Sequence, residues 1–224
     1  MPRGRPRAPI LTILEGKWFP RKNVSLESLF SPLFSVWAPD GVSTHHYEMF
    51  TTADAFRDAM LHAFGGGRAS TVYIAAHGNR HSIQGFHDQG ISRAKVRNAL
   101  RYVSPSNVKR GIYFGSCGFA TRRNAEFILG ECSRVSWLAG YSSSVDWVDS
   151  SVLDLYFLRH FLFPSPGSGR RRPKTVMQRL KYGVERTCTQ MRQLALDTEF
   201  HVYVRRSGRG GGIRDLVIEE LAGA

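Results

Sequence analysis

Cysteine is scarce in this sequence: Cys117, Cys132 and Cys188 are the only three in 224 residues. An odd, sparse set cannot supply the paired framework of a small secreted domain, so the thiols are read as reduced and the location as cytoplasmic. Long apolar runs are lacking as well. The first, Pro9 to Leu14, is closed by Glu15 and is too short for a secretory signal. Val152 to Phe163 is apolar nearly all round but, at about a dozen residues, falls short of a bilayer span and reads as a buried core helix. A membrane partner is therefore not expected. Acidic residues are few, 18 against 31 Lys and Arg, for a net charge of +13.

That excess is uneven. Residues 1–23 hold six basic and one acidic residue, 164–214 hold 12 and three, while the long middle, 24–163, holds 13 and 11. The middle is almost neutral, so basicity belongs to the ends, as in a body with electrostatic contacts added to it. Nucleic acid is thereby a partner that the charge allows but does not favour. With 42% hydrophobic and 22% charged residues, the composition is that of an ordinary globular chain. The length suits a single domain over 1–224, with a basic leader at 1–9 and a flexible basic loop at 164–174, where Pro, Gly and Ser run into Arg170, Arg171 and Arg172.

Two stretches carry the chemistry. Thr71-Val-Tyr-Ile-Ala-Ala76 runs into His77-Gly78, and Gly111-Ile-Tyr-Phe-Gly115 runs into Ser116-Cys117-Gly118. Neither alternates polar with apolar residues, so both suit strands buried on two faces of a parallel sheet. Ligands bind beyond the carboxyl ends of such strands, so His77 and Cys117 are expected to share one crevice. A thiol with a separate acid/base is the minimum for covalent catalysis.

Around them the pattern predicts alternating strands and helices. Strands are expected at Ile10 to Leu14, Thr44 to Phe50, Val135 to Tyr141 and His201 to Arg205. Asn23 or Ser25 caps a first helix that Pro32 and Pro39 close, and Thr51-Thr-Ala-Asp54 opens a second. Asn79 to Gly90, which carries His81 and His87, reads as a loop. Ser92 caps a helix that uses Val96 and Val103 and ends at Pro105. Asn124 to Leu129 forms another, Asp149 caps the helix from Val152, and Val176 to Leu194 is amphipathic. Gly208 to Gly212 ends the last strand and leaves a short tail. No internal repeat is evident.

The paired strand ends resemble the caspase-like (clan CD) cysteine peptidases, and most of all the short stand-alone prokaryotic members and CHAT-type proteases. His77-Gly78 is similar to the family's His-Gly, and Cys117 stands where its nucleophile does. The caspase pentapeptide is absent, and Gly115 replaces the Asp found before Ser-Cys in metacaspases. The resemblance implies a three-layer α/β domain with a mainly parallel sheet flanked by helices. It also implies a His77/Cys117 dyad and no cofactor. The substrate would be a protein partner, cleaved within a bacterial cell-death or antiviral system, with an activating partner protein or ligand as a further implied contact. Gly78 and the Cys117 backbone would serve the oxyanion, and the region of Asp146 and Trp147 would wall the substrate pocket. Asp146 is taken as free of capping duty. The alternative is an inactive caspase-like module, or a basic scaffold, that binds nucleic acid or an acidic protein.

Two rival chemistries are weaker. Ser116 lacks the glycine two positions earlier that a nucleophile elbow needs, and a triad would require His160 or His201. His77 and His81 have ligand-pair spacing, but Gly78 stands where a zinc-binding helix needs Glu, so no metal is expected.

Overall fold

A computed structural model describes residues 10–18, 25–37, 45–64, 71–86, 90–101, 110–165, 171–206 and 212–223. In chain order the elements are β1 (Leu11–Gly16), α1 (Glu27–Trp37), β2 (His45–Phe50), α2 (Ala53–Phe64), β3 (Thr71–Ala75), β4 (Ser82–Gln84), β5 (Gly90–Ser92) and α3 (Arg93–Arg101). These are followed by β6 (Arg110–Gly115), α4 (Arg122–Glu131), β7 (Val135–Tyr141), α5 (Trp147–Leu162), α6 (Val176–Gln190), α7 (Arg192–Asp197), β8 (Phe200–Arg205), β9 (Ile213–Asp215) and α8 (Leu216–Gly223).

The apolar runs become neighbours because each needs cover on both faces. Seven strands form one sheet in the order β2-β1-β3-β6-β7-β8-β9. The first five run parallel, and β8 and β9 close the sheet as antiparallel additions. Inward residues of alternate parity feed two cores. On one face Ile74, Ile112, Phe114 and Leu138 pack with Phe56 and Met60 of α2, Val96 of α3 and Ile128 of α4. On the other, Ile13, Tyr73, Tyr113 and Tyr141 pack with Phe30 of α1, Phe157 of α5, Val184 of α6 and Val217 of α8. The expected three-layer α/β architecture with a mainly parallel sheet is present. Among the described residues no helix is long and apolar enough to cross a membrane.

Several elements differ from the sequence expectation. Pro32 lies inside α1 rather than ending it. One lost backbone bond is outweighed because Leu33 and Phe34, beyond the proline, are buried in the core. The stretch after His77, read as a loop, contains the antiparallel hairpin β4–β5. The helix expected through Leu194 breaks at Met191, and α7 starts anew. The short tail contains β9 and α8. The leader 1–9, Asn23, Pro39, His87, Val103, Pro105 and the middle of the loop at 164–174 (residues 166–170) lie outside the described residues.

Candidate active site

β3 and β6 are hydrogen-bonded neighbours whose last register pair is Ala75 with Gly115. His77 and Cys117 each stand two residues beyond that pair, so the sheet delivers both to one end of adjacent strands. Gly78 sits against the second strand end: a Cβ there would lie 3.0 Å from the Cys117 carbonyl oxygen and 3.1 Å from Ser116 Cβ. At Gly115 a Cβ would fall 2.1 Å from the Tyr73 hydroxyl. The space that an Asp would need before Ser-Cys is occupied by that phenol, which accounts for the glycine.

Cys117 is half-buried at the head of a turn. Gly118 adopts φ 65°, a left-handed conformation that glycine reaches without a steric cost. The turn is tied to the end of β7 by Gly118 N–H donating to Ser143 O at 2.7 Å and Ala120 N–H donating to Tyr141 O at 2.9 Å. The Val145 amide donates to Cys117 Sγ at 3.5 Å, and the thiol lies 3.6 Å from Val145 O. α4 begins at Arg122, capped by Thr121, so the turn separates the thiol from the helix. The helix macrodipole fades within about one turn, and the Val145 amide is the donor that the fold gives to the sulfur. The other two thiols are buried, which pushes Cys132 and Cys188 each up to about 11 and keeps them protonated near neutral pH.

His77 is exposed, and its backbone is held by the hairpin that follows. Gln84 N–H donates to His77 O at 2.8 Å and Asn79 N–H to Ser82 O at 2.9 Å, while Asn79 Oδ1 accepts from the His81 and Ser82 amides. These bonds and those of the Cys117 turn do not use the amides of Gly78 or Cys117. The Trp18 ring meets the His77 ring edge-on, with centroids 4.8 Å apart. Trp18 is itself fixed, because its indole N–H donates to Glu15, a fully buried carboxylate that also accepts from Ser25 Oγ, Tyr47 Oη and the Leu26 amide. In the sequence Glu15 only closes an apolar run, and an acid at the end of a buried strand is the signal it carries.

A second buried carboxylate lies under the same strands. Asp154 of α5 accepts hydrogen bonds from the hydroxyls of Tyr73, Tyr113 and Tyr141, one from each of β3, β6 and β7. Burial pushes its carboxyl up to about 6, while the three phenol bonds pull it down. All three tyrosines are raised well above their usual range, by burial first and then by the Asp154 charge. No local sequence pattern marks Asp154, an acid inside an apolar helix, as the acceptor of three strands' hydroxyls.

Above these groups an open cleft of about 580 Å³ is lined by Gly78, Arg80, His81, Cys117, Gly118 and Ser142 among others. Asp146 and Trp147 lie at the start of α5, and both are exposed. Here the expectation is corrected: Asp146, not Asp149, is the N-cap, and the helix starts at Trp147 rather than Val152. Asp146 Oδ1 accepts from Val148 N–H at 2.7 Å and Asp149 N–H at 3.2 Å, and Oδ2 takes part in neither bond. Ser116 is buried with its hydroxyl unpartnered among the described residues, which places it outside any triad.

No family model matches the chain, and no curated protein matches it. Among solved structures it is similar to the complex of the pro- and mature domains of RgpB from Porphyromonas gingivalis, at 14% identity and a TM-score of 0.51, over 86% of this chain and 45% of that one. It also aligns with the Arg-specific cysteine proteinase gingipain R (RgpB), at 15% identity and a TM-score of 0.49, over 84% of this chain and 43% of that one. The match thus takes in less than half of each neighbour, and what the two chains share is the architecture: this protein has the caspase-like α/β fold.

Proposed function

We propose that the chain is a caspase-like cysteine endopeptidase in which Cys117 is the nucleophile and His77 the general acid and base. The observation that carries this is the position of the two residues, each two beyond the last register pair of adjacent parallel strands, with Cys117 and the neighbour of His77, Gly78, lining one cleft. RgpB, the protein of both structural neighbours, is a cysteine proteinase, which supports the peptidase reading.

The steps follow from the parts. Cys117 Sγ, as thiolate, attacks the peptide carbonyl carbon, and the oxyanion takes the N–H groups of Gly78 and Cys117, which the surrounding turns leave unused. His77 protonates the leaving amine and then takes a proton from the water that cleaves the thioester. Trp18 and Glu15 keep the imidazole in place. Trp147, 44% exposed, and Asp146, with Oδ2 outside its cap, form the substrate wall in this reading. The substrate in this reading is a protein, and the sequence resemblance to the short prokaryotic members supports a role in a cell-death or antiviral system.

Cleavage of a fluorogenic peptide library by the parent, Cys117→Ala and His77→Ala tests the proposal. Each variant is expected to keep its circular dichroism spectrum and melting temperature and to lose on the order of a thousandfold or more in rate, as when a member of a catalytic pair is removed. Near-parental cleavage by Cys117→Ala would overturn it.

A further inference from the structure

A second constellation sits where the parallel sheet gives way to its antiparallel edge. Ser142 follows β7 directly, His201 lies on β8 and Asp215 ends β9. Ser142 Oγ is 3.1 Å from His201 Nε2, and His201 Nδ1 is 2.6 Å from Asp215 Oδ2. Asp215 is 5% exposed, and its other oxygen accepts from the amides of Val202 at 3.4 Å and Val217 at 3.1 Å. A carboxylate held in this way accepts from Nδ1–H, which leaves the Nε2 lone pair facing the serine hydroxyl. Hydroxyl, imidazole and buried carboxylate thus occupy the roles of nucleophile, base and orienting group.

One more group touches the hydroxyl. Glu199 accepts a hydrogen bond from Ser142 Oγ, and its carbonyl accepts from the Ser142 amide at 3.1 Å. Glu199 has φ 46°, the one positive φ at a non-glycine residue among those described. A left-handed glutamate persists only where its surroundings impose it, and such positions gather at functional sites. Ser142 has a single proton, so it cannot serve Glu199 and His201 together. A cation that pairs with Glu199 removes that acceptor and turns the hydroxyl toward His201.

We propose that Ser142 is a second nucleophile, activated by His201 and Asp215, which takes acyl groups from activated esters that carry a positive charge read by Glu199. Ser142 lines the cleft beside Cys117 but does not use it, so the proposal stands apart from the cysteine chemistry. The Ser142 oxygen bonds to the ester carbonyl carbon as its proton passes to His201 Nε2. The tetrahedral adduct then expels the alcohol, which leaves with that proton. Water next attacks the acyl-serine, gives a proton to Nε2, and Ser142 departs with it, so that ester and water become acid and alcohol.

The full chain carrying Cys117→Ala provides the test, because no cysteine adduct can form at that position. With a p-nitrophenyl ester of a guanidinium-bearing acid, it should release a burst of one equivalent of nitrophenol and show the acyl group on the peptide containing Ser142. Adding Ser142→Ala or His201→Gln should slow the burst at least a hundredfold, and Glu199→Gln should abolish the preference for the cationic ester over a neutral one. Ser142→Ala removes only a hydroxyl, so it remains decisive even where thermal melting shows that His201→Gln is unfolded. No adduct on Ser142 in the Cys117→Ala chain, or a Ser142→Ala burst at the parent rate, would overturn the proposal.

Discussion

The two faces of the sheet are filled with different chemistry. Against α2, α3 and α4 the packing is made mostly by groups such as Phe50, Phe114 and Ile128, which ask only to be excluded from water, while Arg110 and Asn124, polar groups buried there, donate to backbone carbonyls. Against α1 and α5 the aromatic core also encloses two carboxylates, Glu15 and Asp154. Burying an ionisable acid is costly unless every lone pair is answered, and here Glu15 has four donors and Asp154 three. Both networks lie toward the strand ends that hold His77 and Cys117. One face supplies stability that tolerates substitution; the other spends some of it on fixing where particular side chains stand.

The contrast can be broken most severely at Asp154. Asp154→Ala strands three phenol hydroxyls in the core, and urea unfolding should show a loss of about 4 kcal/mol, in the range for breaking a buried polar network. Ile128→Val, on the apolar face, should cost about 1 kcal/mol. Equal losses would erase the distinction between the faces.

A pH titration sharpens the same point. The Asp154 carboxyl is raised in the folded state to about 6 from 3.8, so the native protein holds this proton at pH values where the unfolded chain has released it. Its contribution to stability is therefore complete below about pH 4 and is lost as pH rises through about 6, by about 3 kcal/mol in all. Between pH 4 and 7 the parent should lose that much relative to Asp154→Asn; a flat difference would contradict the raised value.

Glu15→Gln is a smaller intervention. It places an amide N–H among groups that all donate, which should cost about 2 kcal/mol by denaturant unfolding and lower kcat about tenfold, with KM little changed, as Trp18 loosens its hold on the His77 ring. The smallest effect is expected at the start of α5. Asp146→Ala should cost about 1 kcal/mol through loss of the cap, whereas Asp149→Ala should stay within about 0.5 kcal/mol. The reverse order in thermal melts would mean that Asp149 carries the cap.

The parts of the fold that could be read from sequence were those with an internal signal. β3, β6 and β7 are continuous apolar runs bounded by polar turns, and their burial follows from composition alone. β4, β5 and β9 are three residues each, too short for any periodicity, and exist because neighbouring strands offer them partners. α1 runs on past Pro32 because tertiary burial of Phe34 outweighs a local penalty. Asp146 and Asp149 are both plausible caps three positions apart, and only backbone geometry separates them. The strand-end placement of His77 and Cys117 was legible; what surrounds them was not. Glu15, Asp154 and the Ser142–His201–Asp215 group each draw partners from distant segments, such as Tyr73 for Asp154 from 81 positions away, and no local pattern announces such a meeting.

Trapping the nucleophile tests the central claim most directly. The parent chain, treated at neutral pH with peptidyl acyloxymethyl ketones of varied sequence, should gain the mass of one inhibitor less its carboxylic acid leaving group, with the thioether mapped to Cys117 and its formation slowed at least a hundredfold in His77→Ala. Modification confined to Cys132 or Cys188, or labelling of Cys117 at the same rate without His77, would contradict the dyad.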